Sequence, residues 1–323
     1  MSERHDVTEG GGGRVPQAAR YLTFTDPASG QGFWLRAGTG GGGWGDAAGV
    51  WFARFHPSDP GRTFGLHRAL DVADLPLGAG RAEGSVSGAG HEAAWSLRWE
   101  PGDAGVPLLP PGLAGRRHAP ALPGATVSDA HVRGRITVDG ETLELAAARG
   151  QEGRVTGSRV PDGWAWAHCA SFEGERASID LLVARLRRGP LASPDVTVAS
   201  ILWDGRAIRL RKVVRRRDWS LGVWRVDLSG RRYRLSGRVE APARAIVRAR
   251  LATPGGAGRF VHVTAIASAR LALFERRAGG FEEVALFESR GATQAEWAGR
   301  TPAPQVEREV VEATGAGVHP EEV

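Results

Sequence analysis

The chain has 323 residues, with 42 Lys+Arg against 36 Asp+Glu and a formal net charge of +6. That length accommodates two domains of ordinary size, and a hydrophobic content of 41% is enough for a sizeable core. The single cysteine, Cys169, excludes an internal disulfide framework and a cysteine-based zinc site; the basic excess is almost all arginine, with Lys212 the one lysine, and reads as a solvated surface rather than a nucleic-acid footprint.

Residues 1–17 are polar and glycine-rich and predict a disordered tail. They lack the apolar core of a signal peptide, and no later run reaches the roughly eighteen apolar residues of a membrane span. The expectation is a cytoplasmic protein that would exchange an apolar ligand through transient contact with a membrane surface. From Tyr21 the pattern becomes β. Tyr21–Phe24, Gly32–Arg36 and Val50–Phe55 are short, apolar and aromatic. The intervening Gly38–Asp46 is a loop; without a Gly-Lys-Ser/Thr continuation it is not a phosphate loop. Trp95, Leu97 and Trp99 alternate with Ser96 and Arg98, as a half-buried strand requires. Pro101–Pro123 reads as a long connection, and Val132–Leu145 as a hairpin turning at Asp139-Gly140.

Ile179–Leu186 is apolar and runs into Arg187-Arg188-Gly189-Pro190, punctuation that predicts a domain boundary. Val196–Trp203 is a strand and Asp204-Gly205 a second hairpin turn, after which Ile208 and Leu210 alternate with Arg209 and Arg211. Trp224–Leu228, Tyr233–Val239 and Ala245–Leu251 keep the two-residue period, and Phe260–Ile266 and Ala269–Phe274 predict two later strands. Helical periodicity is nearly absent. The expectation is an all-β protein of two tandem barrel or sandwich domains, at 18–190 and 191–300, followed by a flexible tail at 301–323.

The densest stretch is Gly150–Phe172. On a strand, Trp164, Trp166 and His168 share one face, and Ala165, Ala167 and Cys169 the other. The small face suits close packing against a second layer, and the large aromatic face suits a barrel lumen. Tryptophans so placed either fill a core or line a ligand cavity. His168 is either a hydrogen-bonded structural residue or an acid, base or ligand contact; no second histidine stands at metal-ligand spacing, so no metal is expected, and no cofactor. Glu152 is the nearest carboxylate. In an apolar cavity it would hold its proton and could donate it, whereas in a solvated loop it would do neither. Gln151 beside it is a polar ligand-binding candidate. Cys169, on the small face, reads as a small hydrophobe.

The order Gly157, three residues, Pro161, two residues, then Trp164-x-Trp166-x-x-Cys169-x-x-Phe172 resembles the tocopherol cyclase family. The Asp139-Gly140-Glu141 hairpin has a counterpart there. The Ala292–Gly299 stretch with Glu296 is similar to the C-terminal end of the related carotenoid 1,2-hydratase and Diels–Alderase-like proteins. The resemblance implies tandem lipocalin-like β domains and hydrophobic, often isoprenoid-like ligands. The family's Asn-Trp before the glycine is Val155-Thr156 here, its Gln before the cysteine is His168, and its Asn after it is Ala170.

Three functions follow as expectations. The first is binding of an apolar small molecule in a Trp-lined barrel cavity, with Trp164, Trp166 and Gln151 as ligand contacts. The second is a tocopherol cyclase-like cyclase, hydratase or isomerase, in which Glu152 or His168 supplies a proton and the two indoles stabilise a carbocation. The third is a surface that binds anionic lipid or nucleic acid through the basic run Arg206–Arg217.

Overall fold

A computed structural model of the chain describes residues 17–39, 48–70, 77–78, 80–102, 106, 108, 122–157, 161–185, 187–188, 191–214, 218–251 and 258–313. Residues 1–16 of the expected 1–17 tail, most of the glycine-rich loop and of the Pro101–Pro123 connection, the last three residues of the basic run and residues 314–323 lie outside these.

The first sheet is formed by β1 (Gln17–Thr25), β2 (Gly32–Thr39), β3 (Ala48–Phe55), β4 (Phe64–Leu70), β5 (Arg81–Gly88), β6 (His91–Pro101), β7 (Leu122–Val138) and β8 (Glu141–Gly157). After it come β9 (Gly163–Cys169) and β10 (Ala177–Arg185), a short ribbon of β11 (Arg187–Arg188) and β12 (Leu191–Ala192), then β13 (Asp195–Trp203), β14 (Arg206–Val214), β15 (Trp219–Ser220), β16 (Val223–Ser229), β17 (Tyr233–Glu240), β18 (Val247–Leu251), β19 (Arg259–Arg277) and β20 (Gly280–Gly299). The last strand, β21 (Val310–Glu312), returns to the first sheet and pairs in parallel with β4. The strand orders are β21-β4-β3-β2-β1-β8-β7-β6-β5 and β14-β13-β10-β9-β20-β19-β17-β16-β15, with β18 on β19. Apart from β21, these strands pair antiparallel, so the all-β expectation of two β domains holds.

Both sheets curl onto themselves. Phe52 of β3 stacks on Trp95 of β6 at 5.5 Å, although β2, β1, β8 and β7 lie between them in the sheet. At opposite ends of the second sheet, Lys212 of β14 donates to Asp227 of β16 at 2.9 Å. Each curl encloses its own core. Leu22, Phe24, Leu35, Phe52 and Trp95 fill the first; Leu181, Val183, Trp224, Phe287 and Trp297 fill the second. Three hairpins have both turn residues in the left-handed region: Ala89-Gly90, Asp139-Gly140 and Asp204-Gly205. This is the type I′ geometry that matches strand twist; the two DG turns were readable from the sequence, the Ala-Gly turn was not.

A third core lies between the sheets. Tyr21, Trp34 and Trp51 of the first meet Trp164, Trp166, Leu182 and Val263 of the second. Successive side chains of a strand point to opposite sides, so β1 sends Leu22 and Phe24 inward and Tyr21 outward, and β9 divides its residues likewise.

Three expectations change. The sheets divide between Gly157 and Gly163, not at Gly189-Pro190, because β9 hydrogen-bonds with β10 and β20 and β10 with β13. Phe260–Phe274 is one strand rather than two; the register with β20 shifts between Thr264 and Ala269, which breaks the alternation there. The segment expected to fray after Arg300 is pinned as far as Ala313: Arg248 N donates to Arg308 O and Ala313 N to His67 O.

At Gly32 the absence of a side chain lets the two sheets approach closely. A Cβ on Gly32 of β2 would stand 2.7 Å from Ala265 Cβ, and nearby Thr25 Oγ1 donates to Ala265 O at 2.6 Å. Gly32→Val therefore wedges the sheets apart, and we expect a loss of about 1–3 kcal/mol. Urea unfolding of the two proteins checks this; equal midpoints would contradict so close a contact.

Candidate functional site

The candidate site is the outer face of β9 and what it meets across the sheet interface. The faces of β9 are used the opposite way from the expectation. The small face (Ala165, Ala167) turns into the second barrel, and the aromatic face turns out of it, towards the first sheet. Two indoles side by side would overfill a barrel already holding Trp224, Trp297 and Phe287, whereas alanines let these pack. Trp164 and Trp166 are accordingly buried between two sheets, not in a lumen. Tyr21 of β1 meets Trp166 edge-on at 5.9 Å.

Gln151 and Glu152, neighbours on β8, are separated by the same alternation. Glu152 points into the first barrel, where Trp99 Nε1 donates to it at 2.9 Å and Arg20 stands 4.0 Å away. It does not meet His168 or the two tryptophans in the interface, because it lies on the opposite face of β8. Gln151 does reach the interface: its amide oxygen accepts from Tyr21 Oη at 2.7 Å and its amide nitrogen donates to Asp180 Oδ1 at 2.6 Å. His168 Nδ1 lies 3.0 Å from Gln151 Nε2 and 3.2 Å from Asp180 Oδ1, and the His168 ring stacks on Trp166. The result is a buried Tyr21–Gln151–Asp180–His168 network joining the two sheets. Burial first, then the Asp180 and Glu296 carboxylates, pushes the Tyr21 hydroxyl well above its usual pKa, so it stays a donor. Cys169 turns to the small-residue side, where burial raises its thiol pKa and keeps it protonated.

Glu296 is the carboxylate on the tryptophan face. In the β9–β20 register it stands opposite Trp166, and it accepts a hydrogen bond from Trp164 Nε1. Burial raises its pKa, and the Trp164 hydrogen bond and the Arg36 charge pull the other way. Arg36 of β2 lies between Tyr21 and Trp51 in the first sheet, with its guanidinium 5.8 Å from the Trp51 ring. Tyr21, Trp34, Arg36 and Trp51 belong to strands more than a hundred residues before β9, so sequence reasoning missed them as site residues. The readable signal was a single arginine inside the apolar run Gly32-Phe33-Trp34-Leu35-Arg36-Ala37, and a single aspartate, Asp180, inside an equally apolar β10.

Several polar atoms on these facing surfaces have no hydrogen-bond partner in the protein: Trp51 Nε1, Trp166 Nε1, His168 Nε2, and Nε and Nη2 of Arg36. Buried polar groups are nearly always paired, and unpartnered donors occur in the barrel cores too, at Trp95, Trp224 and Trp297; the interface differs in that a buried guanidinium is among them. Among the described residues no group of His, Cys, Asp and Glu could hold a metal ion.

This arrangement defines a tandem β-domain protein whose aromatic wall and orphaned donors face one another between the domains. Solved structures share the fold. CghA with Sch210972 superposes with a TM-score of 0.53 at 9% identity, covering 88% of each chain. CghA alone gives 0.52 at 10% identity over the same shares. A Nitrosomonas europaea protein described as AttH (TM-score 0.48, 11% identity, 89% of this chain and 93% of that one) and kievitone hydratase from Nectria haematococca (0.40, 10%, 88% and 89%) align more loosely. No protein-family model matches the chain, and no curated protein matches it significantly.

The raised Glu296 pKa has a definite sign in stability. Its favourable contribution is complete below the usual carboxylate value of 4.5 and is lost as pH rises through the folded-state value. Glu296→Gln abolishes this dependence. The urea midpoint of the wild type should therefore fall relative to Glu296→Gln as pH is raised from 4.5; parallel profiles would contradict the buried placement of Glu296.

Proposed function

We propose that the protein binds an apolar, isoprenoid- or lipid-like small molecule between its two β domains. The observation that carries this reading is the opposition of indoles from both sheets, Trp34 and Trp51 against Trp164 and Trp166, around buried donors without protein partners. Ligand sites combine apolar walls with a few placed polar groups and concentrate at domain interfaces. The fold shared with CghA, which has been solved with a small molecule, is consistent with it. A cytoplasmic location and uptake of the ligand from a membrane surface belong to the same proposal.

A second reading is acid catalysis on an alkene held against the indoles. One observation favours it: Glu296 lies on the tryptophan face, hydrogen-bonded by Trp164, and burial raises its pKa. A carboxyl whose pKa is raised holds its proton to higher pH than an ordinary carboxylate and can deliver it, and flanking indole faces stabilise the cation that forms. The basic outer face of β14 forms as expected, with Arg209 and Arg211 exposed and Ile208 and Leu210 buried. Its salt-dependent binding to anionic partners remains a separate, weaker proposal.

Titration with geranylgeraniol tests the reading. Tryptophan emission should be quenched saturably, and the Trp164→Phe/Trp166→Leu variant should bind about tenfold more weakly, in line with the loss of a buried aromatic anchor. Ligand recovered unchanged assigns binding alone. An altered product, absent with Glu296→Gln, assigns the catalytic reading. Equal affinity of wild type and double variant would contradict a site at this interface.

A further inference from the structure

We propose that Arg36 receives an anionic oxygen group of the ligand, so that the site takes apolar molecules with an acidic head, such as a carboxylate, rather than neutral hydrocarbons. This rests on the interdomain site proposed above and narrows the class of molecule it accepts.

Arg36 carries donors that the protein leaves without a partner. Its side chain is buried, at 4% exposure, and forms no ion pair among the described residues. Its Nε and Nη2 are fully buried and have no hydrogen-bond partner. These N–H groups point in the same direction along one side of the planar guanidinium. Their spacing matches the two oxygens of a carboxylate, which would accept both bonds at once. A water molecule satisfies one such donor well; the paired edge suits a bidentate anion.

The neighbours do not supply that anion. Tyr21, beside Arg36 in the β1–β2 register, commits its hydroxyl to Gln151. Trp51, on the other side, offers a ring face and an unpartnered N–H, so it adds a donor rather than an acceptor. Glu296 is close enough to influence Arg36 electrostatically, yet it accepts from Trp164 and forms no salt bridge with Arg36. Burial lowers the Arg36 pKa and raises that of Glu296, and their mutual attraction opposes both shifts without reversing either. The unpartnered set is dominated by N–H donors, so the missing partner is rich in acceptor oxygen. The indoles on both sides leave the remainder of such a ligand an apolar environment.

An unpaired charge in such a place is costly, and replacing it with an apolar group of similar size is often neutral or stabilising. Arg36→Met should therefore raise the melting temperature of the ligand-free protein or leave it unchanged. If Arg36 instead served the fold as the partner of Glu296, Arg36→Met would lower it sharply.

The deciding experiment measures tryptophan quenching by retinoic acid, methyl retinoate and retinol with the wild type, Arg36→Met and Arg36→Lys, each shown folded by circular dichroism. The wild type should bind retinoic acid at least about tenfold more tightly than either neutral probe, a margin typical of a charge-assisted pair. In Arg36→Met that preference should vanish. In Arg36→Lys it should be reduced but retained, because the charge stays while the fork is lost. Equal affinity of the wild type for all three probes overturns the anion assignment and leaves the apolar site standing, as does a preference that survives Arg36→Met. Binding of none of the three would overturn the interdomain site itself, and the anion assignment with it.

Discussion

The structure depends on β9 being buried on both faces. A strand at the edge of one core can be apolar on one side and wet on the other. β9 has the second barrel on one side and the first sheet on the other, and all its residues are buried. The two surroundings need different residues. The barrel interior already holds large rings and takes alanine, while the gap between the sheets takes indoles and one imidazole. Gly163-Trp164-Ala165-Trp166-Ala167-His168-Cys169 meets both demands, and a slip of one residue would exchange them.

That constraint also explains why the polar chemistry collects between the sheets. Within each barrel the polar atoms are fewer: Trp99 donates to Glu152, while Trp95, Trp224 and Trp297 leave their N–H groups unpartnered. The interface brings together surfaces that each sheet would otherwise turn to solvent, so it inherits their polar residues. Some pair across the gap, as in the Tyr21–Gln151–Asp180–His168 network and the Thr25–Gln294 bond. Others, led by Arg36 and the Trp51 and Trp166 N–H groups, do not. A domain interface meant only to be glued together would gain from apolar residues at those positions. The unpaired donors beside the interface indoles are the groups that the proposed ligand would complete.

Much of this was legible in the sequence, and the failures have a common physical cause. Period-two alternation gave the strands, the Asp-Gly turns gave two hairpins, and the Trp-x-Trp-x-His face was identified as a unit. What alternation cannot say is which side of a strand is inside, because a sheet buried on both faces looks apolar from either. So the aromatic face was assigned to a lumen, and Glu152 was grouped with His168 although one residue of strand separates their sides. The sheet boundary was misplaced for a related reason: Gly and Pro mark turns, and turns occur within a sheet as readily as between sheets. The partners of β9 on β1, β2 and β3 are brought to it only by the folded sheets, beyond the reach of any local pattern.

The proposed site is defined by its place: between the sheets, not inside either one. A crystal structure of the protein with retinoic acid tests it most directly. The polyene should lie between β2–β3 and β9–β20, against Trp51 and Trp166, with its carboxylate on Nε and Nη2 of Arg36. A polyene enclosed within the core of either barrel, with the interface indoles packed as in the ligand-free protein, would contradict it.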